Sequence, residues 1–143
     1  MKGAKTREFT TEVTVEFEDV DSYGIAHHTK LVAYLERARL RFLRGLGVEL
    51  LSGPAVGVLY DLRMRFAKPV RMFDRLEVAV FVEEVSDFRL DLGYRIRRGG
   101  DVIARATTSI AFANLEQGTL VAAPEAYVEV LAALLVPEQN PAP

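Results

Sequence analysis

Residues 30–47 leave the chain few choices of fold. At 100° per residue, Leu31, Tyr34, Leu35, Ala38, Phe42 and Leu46 share one broad apolar arc, which Val32 and Leu43 widen. Arg37, Arg41 and Arg44 fall in a narrow basic stripe, and Glu36 and Arg39, three apart, are spaced for a partly buried ion pair. A helix with so little polar surface must be largely enclosed, and Gly45 and Gly47 suit its C-terminal cap. A chain of 143 residues makes one well-cored domain rather than two. The rest of it must therefore wrap this helix.

The wrapping material is strand. Residues 9–17 alternate, with Val13, Val15 and Phe17 on one face. From Val56 the period is again two, with Val58, Tyr60, Leu62, Met64 and Phe66 opposite Leu59, Asp61, Arg63 and Arg65. Pro69 interrupts this run, and residues 71–74 read as a connection. Leu76, Val78, Val80 and Val82 form the next apolar face, Ser86-Asp87 a turn, and Phe88, Leu90, Leu92, Tyr94 and Ile96 the face after it. Gly99-Gly100-Asp101 is a strong hairpin signal. Residues 102–115 place Ala104, Ala106, Thr108, Ile110 and Phe112 together, the alanines being small enough for a helix to approach. Four long strands in antiparallel succession, covered by one helix, make a two-layer α+β domain spanning 1–143. A short second helix runs from Pro124 to about Leu135, and residues 136–143 read as a flexible tail.

Composition narrows the function. The net charge of −2 gives no bulk attraction to nucleic acid or anionic membrane. The absence of cysteine excludes disulfides, thiolate metal sites and a cysteine nucleophile. No segment has the apolar length of a signal peptide or a membrane span, so a cytoplasmic protein is expected.

The reactive residues gather in the loop feeding the long helix. Residues 19–28, DVDSYGIAHH, hold two acids, a glycine and both histidines. The first turn of a helix presents unpaired N–H groups and partial positive charge, suited to an oxyanion, and a carboxylate beside it can attack or activate water. The run FEDVDSYGIAHH, followed by Tyr34-Leu35-Glu36-Arg37-Ala38-Arg39, resembles the opening of the 4-hydroxybenzoyl-CoA thioesterase family, and most closely its branch of bacterial acyl-CoA thioesterases associated with the Tol-Pal system. The resemblance covers nearly the whole chain. It implies the hotdog fold, a curled antiparallel sheet around one central helix, with protomers joined as a homodimer or homotetramer. It also implies hydrolysis of an acyl or aroyl thioester of coenzyme A, which is substrate rather than cofactor. A non-catalytic acyl-thioester-binding protein and a hotdog dehydratase are the alternatives on the same fold, although the usual hydratase motif is not apparent.

In that resemblance Asp21 matches the catalytic aspartate, as nucleophile or general base. Read from the residue type alone, it is a turn or helix-entry cap. Asp19 is its nearest competitor, placed at the strand end and facing another way. Gly24 permits a backbone conformation or a close approach. His28 offers its amide to the thioester oxygen and its ring to the substrate or Asp21, while His27 binds substrate or faces a dimer interface. Glu36 is the runner-up carboxylate, in the manner of a second hotdog branch. Thr29-Lys30-Leu31 stands where the family usually has a small residue, asparagine and an aromatic, which makes Thr29 and Lys30 candidates for substrate selection, with Lys30 paired to Asp19 or a substrate anion. Tyr60 is a candidate for the acyl pocket, with core packing the favoured reading. Lys68, Arg71 and Arg75, or Arg89 with Arg95, Arg97 and Arg98, are candidates for the phosphates of coenzyme A. Two adjacent histidines with no third ligand at helical or strand spacing do not make a metal site.

Overall fold

The computed structural model describes residues 5–47 and 55–136. The chain runs through β1 (Lys5–Thr6), β2 (Phe9–Thr14), a 3-10 turn (Phe17–Asp19), α1 (His28–Gly45), β3 (Val56–Phe66), β4 (Arg75–Val85), β5 (Arg89–Arg98), β6 (Asp101–Asn114), β7 (Thr119–Leu120), α2 (Glu125–Ala132) and β8 (Leu135–Val136). One antiparallel sheet has the order β2-β4-β5-β6-β3, with β7 added to β6. A second, two-stranded sheet pairs β1 with β8, so Val136 lies in a strand. The rest of the expected tail, 137–143, lies outside the described residues.

The strands β4, β5 and β6 succeed one another as expected, but β3 does not precede them in the sheet. It pairs with β6 and forms the far edge. Its expected five-residue face is also split. A β-bulge between Leu59 and Asp61 shifts the register, so Leu62, Met64 and Phe66 share a face with Leu59, while Val58 lies opposite outward-facing Ala111. A second bulge, between Val82 and Glu84 of β4, lies against Asp91, and Asp91 pairs with Ser109. The two bulges thus flank one row of the sheet, the line along which it bends.

The core lies between the concave face of this sheet and α1. Leu31, Tyr34, Leu35, Ala38, Phe42 and Leu43 are buried against Val13, Val15, Leu76, Val78, Val80, Leu90, Leu92, Tyr94 and Ile96. The helix is less enclosed than its sequence suggested: Ala33, Glu36, Arg37, Leu40, Arg41 and Arg44 are exposed. It packs closest to β4 and β2 rather than over Ala104 and Ala106, which leaves β3 uncovered. Arg41 anchors this offset by donating to Thr11 Oγ1 at 2.7 Å, and Phe9 meets Phe42 with ring centroids 5.9 Å apart.

Three boundaries differ for local reasons. Phe17 leaves the sheet for the 3-10 turn and is exposed. Phe88 falls in the turn before β5 and is also exposed. Pro124 is the N-cap of α2, and the helix stops at Ala132 before the chain enters β8. The cap of α1 forms as expected, with Gly47 at φ +71° donating to the Arg44 carbonyl.

Candidate active site

The loop before α1 is closed at its base by a bridge between Val20 and Ala26. Inside it, the Asp21 amide donates to the Ile25 carbonyl at 2.9 Å, and the Gly24 amide donates to the Asp21 carbonyl at 2.9 Å. Asp21 Oδ1 accepts from the amides of Tyr23 (2.8 Å) and Ile25 (3.3 Å), a carboxylate turn. Its other oxygen, Oδ2, has no hydrogen-bond partner among the described residues, and the side chain is exposed. The turn-forming and reactive readings of Asp21 therefore coexist on one carboxylate. Gly24 adopts φ +75° with open space where a Cβ would sit, so backbone conformation and not close approach requires glycine there.

The loop delivers the chain to the helix through its histidines. His27 is the N-cap, and its Nδ1 accepts from the Thr29 amide at 3.3 Å and lies 2.8 Å from Thr29 Oγ1. Accepting through Nδ1 leaves Nε2 as the protonated nitrogen of a neutral ring. His28 is the first helical residue, so its amide has no carbonyl inside the helix to bind. Its ring lies 4.2 Å from that of His27 and meets Phe66 edge-on at 6.3 Å, which ties the start of α1 to the end of β3.

The floor of the loop is residues 70–74. The Ala26 amide donates to the Val70 carbonyl at 2.8 Å, and Ile25 bridges Arg71. The turn 71–74 holds Phe73 at φ +70°, a left-handed conformation unusual for an aromatic residue. Three bonds hold it there. The Phe73 amide donates to the Val15 carbonyl at 2.7 Å, and Asp74 Oδ2 accepts from the Arg71 amide at 2.9 Å and from Arg98 at 2.8 Å. Phe17, Tyr23, Met72 and Phe73 are exposed on these same segments.

The structure thus brings Asp21, Gly24, His27, His28, Thr29, Lys30 and Arg71 into one cluster. Lys30 Nζ lies 4.0 Å from Asp19, the expected pairing at the limit of an ion pair. Asp19 does face elsewhere, toward the hydroxyl of Tyr34 at 2.7 Å. The chain's sequence marked Tyr34 only as a core position, and nothing in its spacing announces this bond. The strained Phe73 was likewise hidden inside an apparent connection.

Other candidates lie apart from the loop. Tyr60 is neither core nor beside α1; it is the bulged residue of β3, exposed and within electrostatic reach of Arg89. Lys68 pairs with Asp101 at 3.2 Å, Arg98 with Asp74, Arg89 with Asp91 and Arg95 with Glu8. Glu36 meets Arg39 at 3.4 Å as expected, but it is Arg39 that is buried, at 15% exposure, while Glu36 is 71% exposed. Glu36 borders a groove of about 460 Å³ between α1 and β3, lined also by Leu40, Leu43, Leu59 and Ile110. This groove is the space left by the offset helix. Among the described residues, no three His, Asp or Glu side chains come together as a metal site would need.

A curled antiparallel sheet around one helix is the hotdog arrangement. The chain belongs to the thioesterase-like superfamily, whose sequence profile it matches over residues 15–134. It is 30% identical to the acyl-CoA thioesterase YbgC of Haemophilus influenzae over 121 residues, covering 82% of this chain and 89% of that one. It is 33% identical to the 1,4-dihydroxy-2-naphthoyl-CoA hydrolase of Thermosynechococcus vestitus, covering 66% of this chain and 68% of that one. A crystal structure of a protein from Aquifex aeolicus superposes with a TM-score of 0.81 at 29% identity, covering 86% of this chain and 98% of that one.

Proposed function

We propose that this chain hydrolyses an acyl or aroyl thioester of coenzyme A, with Asp21 as the reacting carboxylate. The observation that carries this reading is the division of labour on Asp21: Oδ1 is held by two amides while Oδ2 has no partner among the described residues, in the loop that leads into the N-terminus of α1. The His28 amide, with the partial positive charge of α1 behind it, takes the oxygen of the thioester carbonyl as it becomes an oxyanion. Asp21 Oδ2 either attacks the carbonyl carbon or takes a proton from an attacking water. In the first case the C–S bond breaks, the thiolate leaves and takes a proton from water, and water then hydrolyses the mixed anhydride. In the second, water adds directly and the thiol departs. Both give free acid and coenzyme A. The relatives named as acting on acyl-CoA and naphthoyl-CoA support this substrate class.

The same reading extends to assembly and place. The uncovered, partly apolar edge of β3 suits pairing with a second copy, as a dimer or as a tetramer built from two dimers. A substrate that is a thioester of coenzyme A accords with a cytoplasmic place of action.

A panel of acyl-CoA and aroyl-CoA substrates with a thiol reagent tests the activity. Asp21→Asn should lower kcat by roughly 10²-fold or more, with KM little changed. Label in the Asp21 carboxylate after single-turnover hydrolysis in H₂¹⁸O identifies the nucleophilic route with water attacking the aspartyl carbon of the anhydride, since direct attack of water on the thioester labels only the product acid. If no substrate on the panel is hydrolysed above background, the protein binds thioesters without cleaving them.

A further inference from the structure

We propose that Asp19 and Tyr34 are a positioning pair that fixes the Asp21 loop and the His28 amide relative to each other; this rests on the thioesterase reading above. Asp19 closes the 3-10 turn two residues before Asp21. Its side chain is 13% exposed. Oδ2 accepts from the Tyr34 hydroxyl at 2.7 Å and from the Glu16 amide at 3.1 Å, and Lys30 stands 4.0 Å from Oδ1. The Asp19 carbonyl accepts from the His27 amide at 3.0 Å. One residue is therefore bonded to the turn before the loop, to the helix cap after it, and to the body of α1. The loop that carries Asp21 leaves and returns within those three attachments.

The chemistry of the pair favours positioning over reaction. Both Asp19 oxygens face protein groups, whereas Asp21 keeps one oxygen free. Burial alone would raise the Asp19 pKa, but the Tyr34 hydroxyl, the Glu16 amide and the Lys30 and Arg37 charges hold it below the usual value. At neutral pH the bond from Tyr34 is thus a charge-assisted one, and short. Tyr34 itself is 1% exposed, so no bulk water can replace Asp19 as its partner. Removing the hydroxyl frees the carboxylate to turn, and with it the carbonyl that holds His27. The amide that takes the oxyanion is the next one along the chain. A shift of about 1 Å at such a group can cost up to ~10²-fold in rate.

Tyr34→Phe keeps the ring in its packing and removes only the bond. It should lower kcat about tenfold, well inside that bound, and leave KM within about twofold. Asp19→Asn, whose amide oxygen can still accept from Tyr34, should keep more activity than Asp19→Ala. Amide hydrogen exchange supplies a readout independent of turnover: peptides spanning 21–28 should exchange about tenfold faster in Tyr34→Phe while those from β4 to β6 stay as in the parent. The proposal is overturned if Tyr34→Phe lowers only the melting temperature, with kcat and loop exchange unchanged. It is equally overturned if Asp19→Asn is as inactive as Asp21→Asn while Tyr34→Phe is fully active, because Asp19 would then be the reacting group. If the parent protein cleaves no thioester, the proposed function falls, and the exchange measurement still decides whether the pair holds the loop.

Discussion

Glu36 and Phe73 show how exposure decides what a side chain contributes. Glu36 pairs with Arg39, yet it stands mostly in water, and exposed helix pairs are worth about 0.3–0.5 kcal/mol. Glu36→Gln should therefore shift the urea midpoint barely and leave kcat near the parent value. A loss of turnover matching that of Asp21→Asn would move the reacting carboxylate to the helix. Phe73 sits in a left-handed conformation with its ring exposed, so burial does not offset the strain. Phe73→Gly removes a cost of about 1–2 kcal/mol and adds backbone freedom worth roughly 0.5–1 kcal/mol to the unfolded chain. The net expectation is a gain of up to about 1.5 kcal/mol, read from denaturant unfolding. The motif around Asp21 was legible in the sequence because its parts lie within a few residues and each has a turn or cap preference. The Asp19–Tyr34 bond was not, because tyrosine at a core position advertises its ring and not its hydroxyl.

Strands and turns carry the acid sensitivity. The Arg71 amide, against the effect of burial and aided by Arg98, holds the Asp74 carboxyl below its usual value. Asp91 is pushed up by burial, but Arg89 and Ser109 outweigh that and its value is also lowered. A depressed folded value means stability that is fully present above the unfolded pKa of about 3.9 and lost as pH falls through the lower folded values. The urea midpoint should stay nearly level from about pH 7 to 5 and drop below about pH 4. Asp74→Asn should lower stability at neutral pH and make that acid drop shallower; an unchanged drop would remove Asp74 from the account. On the outer face of β5, an added Cβ at Gly93 would lie 2.3 Å from Phe81 Cε2 and 2.6 Å from Glu83 Oε1. Gly93→Ala should cost on the order of 1 kcal/mol as Phe81 is displaced, measured by the same unfolding curves. Alternation gave the strands reliably, since period two survives in any apolar run. The bulge at Tyr60 was invisible because Val58, Leu59 and Tyr60 are three apolar residues in succession, so an inserted residue among them leaves no break in the pattern.

For the molecule as a whole, the offset of α1 toward β2 and β4 matters most. It leaves Leu59, Leu62 and Phe66 partly bare along the edge strand and opens the groove beside Leu40 and Leu43. If a second copy pairs with β3 as proposed, Leu62→Arg places a charge on that edge and should shift sedimentation toward the 15.9 kDa species. It should also lower activity if a second copy completes the groove. Unchanged mass would place the contact elsewhere. The helix's apolar arc was readable, but its angle to the sheet was not, because that depends on Arg41 finding Thr11 and Phe42 finding Phe9. The position of β3 at the far edge has one further consequence, for synthesis. The ribosome makes β3 before β4 and β5, yet its hydrogen-bonding partner is β6, the last of the long strands to emerge. A nascent chain that has emerged only as far as Ile96 therefore holds an apolar strand with nothing to pair it, while one that has emerged past Asn114 can close the sheet. Chaperone capture should fall sharply between those two lengths.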